Sequence, residues 1–161
     1  MALLNEAELS RRTDEEAARP AWMSGVVGGL AGGVVMGLMA TMMMPAVMTE
    51  YIPGLLALDG LLAGWIVHLG VAATFGVGYA ALATETGFVD RSPSVGWDVG
   101  LGLAYGALLW LVSMSIVMPL WLGAIGAADP PPFPWFDPAT LLAHLAYGLV
   151  VGVVFPLVEF E

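Results

Sequence analysis

Two histidines carry most of the chemistry this sequence can offer. His68 and His144 are the only imidazoles in 161 residues, and each sits inside an uncharged apolar run long enough to cross a bilayer. An ionisable side chain at that depth marks a functional site by default, because lipid gives it nothing to bond with. The surroundings of the two rings are alike: Leu follows each histidine, a Gly-Val pair recurs in register, and Tyr79 falls opposite Phe155. Positions four apart share a helix face. Counted that way, Gly64, His68, Ala72 and Gly76 form one stripe and Thr140, His144, Gly148 and Gly152 the other, each histidine being the one large group among small ones. Imidazoles projected from facing helices can ligate haem b axially, the small residues leaving room for the macrocycle. They can equally hydrogen-bond a quinone, or donate to backbone carbonyls and merely staple helices. The loops expected outside hold no Lys or Arg for haem propionates, which counts against haem.

Methionine is the second resource. Met44 and Met48 share a helix face, as do Met114 and Met118. Thioethers and imidazoles together select Cu(I), and this Met-x-x-x-Met spacing resembles the transmembrane motif of copper-uptake channels. That resemblance implies a Cu(I) path along the helices; otherwise methionine is an adaptable filler between glycine-rich surfaces. Acid–base and nucleophilic chemistry have little to draw on. Asp98 is the one carboxylate in the spans, Ser113 and Ser115 have no acid or histidine beside them, and cysteine is absent. Catalysis by this chain alone is not expected.

The elements that must position these groups are membrane helices. Hydrophobic residues make up 59% of the chain and charged ones 11%, where soluble domains carry roughly 25% charged. The expected fold is all-α, a membrane protein of four transmembrane helices. Residues 1–19 read as an acidic tail in which Thr13 and Glu16 form a capping box. Residues 20–83 form a first hairpin, with spans over 21–48 and 61–83. A loop over 84–94 leads to a second hairpin at 95–158, with spans over 95–122 and 139–158. All four arginines, Arg11, Arg12, Arg19 and Arg91, fall in the tail or the 84–94 loop. The positive-inside rule therefore puts both termini in the cytoplasm.

The hairpins read as two copies of one unit. Aligning Met44-Pro45 with Met118-Pro119 superposes Gly28 on Gly102 and Gly32 on Gly106 without a gap. Two crossings per copy give both copies the same orientation, with a pseudo-twofold axis along the membrane normal. The histidine stripes are expected to meet at that axis.

The net charge is −10 and lysine is absent. This excludes a nucleic-acid footprint and resembles the composition of halophilic archaeal membrane proteins, which implies a high-salt habitat. The leading functional expectation is a small integral subunit or accessory factor of a larger complex in the cell membrane, of respiratory or electron-transfer type. Its partners are lipid and other membrane subunits, in a homo- or hetero-oligomer, and the histidine pair is a haem b or quinone site. The alternatives are a permease for Cu(I) or another small solute along a Met/His path, and a structural scaffold.

Overall fold

The structure, a computed structural model, describes residues 20–87 and 94–159; the acidic tail and Arg91 lie outside them. Four helices are long and apolar enough to cross a membrane: Ala21–Met43, Leu61–Glu85, Val95–Ala124 and Pro138–Val158. There is no strand among the described residues. Each helix starts where local chemistry dictates. Pro20 precedes the first span in extended backbone. Gly60, at φ +85°, turns the chain into the second. The Ser94 hydroxyl accepts from the Trp97 amide at 3.3 Å to open the third, and the Asp137 carboxylate accepts from the Thr140 amide at 2.8 Å to open the fourth.

The first span is shorter than expected. It stops at Met43, and Met44 leaves helical geometry at φ −141°, because Pro45 restricts the residue before it and has no N–H to continue the ladder. The chain resumes as a π-helical turn, Val47–Tyr51, that runs into a short helix at Ile52–Gly54. The third span also holds a π-helical segment, Trp110–Val117, just before Met118–Ala124.

The repeat is present, but its register differs from the sequence alignment. Gly29 backs onto Ala72 and Gly76 of the second span, and Gly102 backs onto Gly148 and Gly152 of the fourth. Ala72 and Gly76 are the repeat mates of Gly148 and Gly152, so Gly29, not Gly28, is the mate of Gly102. Met44-Pro45 and Met118-Pro119 are not equivalent either. Pro45 is exposed and starts a new helical piece, whereas Pro119 is buried inside a continuous span. The role of Pro119 is taken in the first hairpin by Pro53. Each of these buried prolines lacks the N–H that would have bonded to the carbonyl four residues back. The orphaned carbonyls are Thr49 O, which accepts from the Gly60 amide at 2.8 Å, and Ser115 O, which accepts from the Trp135 amide at 3.0 Å. Both hairpin loops are thus docked by one device.

The pseudo-twofold is broken on one side. The first and fourth spans meet closely, because Gly28 lies against Val151 and Gly32 against the Tyr147 ring and carbonyl. In the corrected register the third span carries Leu101 and Tyr105 where the first has Gly28 and Gly32. The second span does not pack closely there, and a smaller gap separates it from Leu101 and Tyr105. The second and third spans are bridged instead by Tyr105, whose hydroxyl donates to Phe75 O at 2.7 Å and whose ring meets Tyr79 edge-on at 5.3 Å. Tyr79 and its repeat mate Phe155 touch at 5.5 Å, as residues beside an axis do. The bundle is therefore closed on the side of the first and fourth spans and gapes on the other.

Candidate functional site

The gap is a cavity of about 670 Å³, lined from all four spans, within the range of small-molecule sites. Its walls are the second and third spans and its floor the first and fourth. Ile66, Val71 and Val117 stand on its lining and are also exposed on the bundle surface, so it opens sideways, at the depth where lipid lies. Both histidines line it. Each is nearly buried, at 5% and 4% exposure, as are Thr140 and Tyr147 on the same lining.

The rings are held differently. His68 Nε2 lies 2.8 Å from Gly33 O of the first span, so it ties two spans of one hairpin together; Trp65 meets the same ring edge-on at 6.0 Å. His144 Nδ1 lies 2.8 Å from Thr140 O, one turn back on its own helix. A carbonyl only accepts, so the nitrogen facing it carries the hydrogen. A neutral imidazole has one N–H. His68 Nδ1 and His144 Nε2 are then imine nitrogens with a free lone pair. Neither is sealed away: among the described residues, Ser24 Oγ is the one side-chain polar atom both fully buried and unpartnered.

The other polar groups on the lining are likewise turned to the backbone. Thr140 donates to Asp137 O at 2.8 Å and accepts from Trp110 Nε1 at 3.1 Å. Thr74 donates to Gly70 O at 2.9 Å, and Ser113 donates to Leu109 O. Tyr147 reaches from the fourth span to Ala72 O of the second, at 2.7 Å. Apolar side chains make up the rest.

The sequence-derived site is only partly assembled here. His68, His144, Ala72 and Thr140 do share one cavity. Gly64, Gly76, Gly148 and Gly152 do not line it. Gly64 is pressed under Met48 O, Gly76 against Gly25 and Gly29, Gly148 against Gly102 and Gly106, and Gly152 against Asp98 and Gly102. The small-residue stripes face the partner helix within each hairpin rather than each other across the axis. They bring backbones together and make no room for a macrocycle. The methionines converge: Met48, Met114 and Met118 belong to one buried core with Ala40, Val47, Ile52 and Leu122, and Met44 packs on it. Met44, Met114 and Met118 reach the cavity; Met48, fully buried, is not on its lining. Sequence reasoning missed Tyr147 and Tyr105. The signal was there, in a tyrosine standing at the position of Val71 and another at that of Gly32 once the register is right.

Haem b fits this site poorly. Nε2 of His68, the nitrogen that projects furthest from its helix, is committed to Gly33 O. Among the described residues, the lining has no cation to meet a propionate. No family model matches the chain, and neither a curated protein nor a solved structure is similar to it.

Proposed function

We propose that this protein is a small membrane-embedded subunit that receives a lipid-soluble ligand of the quinone class in the cavity between its second and third spans. Its place is the cell membrane, with both termini cytoplasmic as the arginine distribution implies, beside the larger electron-transfer complex it serves. The observation that carries this reading is the sideways-opening apolar cavity with two free imine nitrogens on its lining. A long alkyl or isoprenoid tail matches such walls, and a small polar head matches two isolated polar atoms. Among the described residues the lining carries no carboxylate or other charged group, so the site binds and orients, and electron transfer is left to another chain. A high-salt habitat belongs to the same reading and is supported by the acidic, lysine-free composition.

The test is photolabelling in lipid nanodiscs with an azido derivative of an alkylated benzoquinone. Label is expected on peptides containing Val71, Leu109 and His144, and Val71→Trp, which fills the mouth, is expected to remove it. Label confined to the outward faces of the first and fourth spans, unaffected by Val71→Trp, would end the reading. A second reading has its own support. Both rings donate one N–H to a backbone carbonyl and leave the other nitrogen free, the arrangement in which histidines ligate metals, and four methionines, Met36, Met44, Met114 and Met118, line the same space. A Cu(I) titration against a chromophoric chelator distinguishes it.

A further inference from the structure

The cavity is an acceptor-only site, and we infer that it selects the reduced, dihydroxy form of its ligand over the oxidised dione. The inference rests on the cavity reading proposed above and names its chemistry. Six lining residues carry a polar hydrogen on a side chain: His68, Thr74, Ser113, Thr140, His144 and Tyr147. Each of those hydrogens is directed at a main-chain carbonyl, on Gly33, Gly70, Leu109, Asp137, Thr140 and Ala72 respectively. What the lining still offers is lone pairs, above all on His68 Nδ1 and His144 Nε2. A dione brings only acceptors, and its carbonyls would meet nitrogens that cannot donate to them. That leaves two desolvated oxygens unsatisfied. A hydroquinone brings two O–H donors, which two imine nitrogens can accept. The site therefore holds the hydroquinone by donation of its O–H groups to the free ring nitrogens, with no change of oxidation state.

The experiment uses the full chain in quinone-free nanodiscs, kept anaerobic, with three tritiated probes of one scaffold: a decylhydroquinone, the matching decylbenzoquinone, and the hydroquinone's dimethyl ether. The hydroquinone is expected to bind about tenfold or more tightly than either of the others, the discrimination two hydrogen bonds supply. His144→Phe is expected to reduce that ratio to about threefold while the ether binds as before. The ether comparison needs no variant, so a misfolded mutant does not blunt the test. Equal binding of hydroquinone and dione, or tighter binding of the dione, overturns the selectivity and leaves the cavity reading standing. Binding of the ether as tightly as the hydroquinone also overturns it. Failure of all three to bind above the level of empty nanodiscs overturns the cavity reading, and the selectivity with it.

Discussion

At the scale of single residues, the two histidines are repeat mates that have diverged in what they do. His68 donates across to Gly33 O on another span, whereas His144 donates to Thr140 O on its own helix. A cross-span bond is lost on truncation together with the packing that Trp65 makes on the ring; a bond within one turn holds nothing else in place. His68→Ala is therefore expected to destabilise the bundle by on the order of 1 kcal/mol more than His144→Ala, given that interhelical polar contacts in membranes average about 0.6 kcal/mol. Unfolding in mixed micelles titrated with dodecyl sulfate, followed by circular dichroism, measures both. Equal costs, as a symmetric staple demands, or the reverse order would contradict the assignment. The sequence made this pair legible as residues, because two ionisable groups in runs of apolar ones stand out whatever the fold. It could not say which nitrogen each ring keeps free. That is decided by a carbonyl 35 residues away in one case and one turn away in the other, and no periodicity encodes the difference.

At the scale of elements, glycine decides which helices approach, and the small-residue stripes were readable while their partners were not. A period of four identifies a face; it does not say which neighbour that face meets. The stripe containing Gly76 meets the first span and the stripe containing Gly148 meets the third, each within its own hairpin. A methyl group at Gly29 would stand 2.5 Å from Ala72 O and 2.9 Å from Gly76 Cα, and one at Gly102 would stand 2.9 Å from Gly152 Cα, all backbone that cannot step aside alone. Gly29→Ala and Gly102→Ala are expected to cost about 1–3 kcal/mol each, the range for overpacking. Gly70→Ala and Gly100→Ala have nothing within 4 Å of the new methyl and should be neutral or stabilising by up to about 1 kcal/mol, since glycine weakens a helix interior. The same unfolding titration ranks the four. Should Gly102→Ala prove as harmless as Gly100→Ala, the contact assigned to the second hairpin is wrong. The prolines teach the same lesson. Met-Pro recurs in the sequence, yet the pair that matters is Pro53 and Pro119, recognisable only through the amides of Gly60 and Trp135 that take up the orphaned carbonyls.

At the scale of the whole molecule, the cavity opens on the side where the duplication is imperfect. A faithful twofold would place two glycines of the third span against the second, as Gly28 and Gly32 of the first lie against the fourth, and the gap would close. Leu101 and Tyr105 stand there instead. Tyr105 also bridges the two spans beside the cavity, because its hydroxyl donates to Phe75 O and its ring meets Tyr79. Restoring the symmetry should then remove the site. The double substitution Leu101→Gly with Tyr105→Gly is expected to let the second and third spans close toward the 8–10 Å spacing of packed helices. The chain has no cysteine, so spin labels can be placed cleanly through Leu62→Cys and Leu120→Cys, both on exposed positions of those two spans. Pulsed dipolar spectroscopy should show a shorter label separation in the glycine variant, by a few ångströms if closure reaches that spacing, and photolabelling of the cavity should fall with it. A variant that folds, keeps its original label separation and still takes the photolabel would show that the gap is set by something other than these two side chains, and the link from broken repeat to binding site would be lost. A variant whose separation shortens while labelling persists would place the ligand elsewhere on the bundle. The single change Tyr105→Phe separates the parts of the effect: it deletes the bond to Phe75 O and keeps the bulk, so the spans should stay apart and the photolabel should remain.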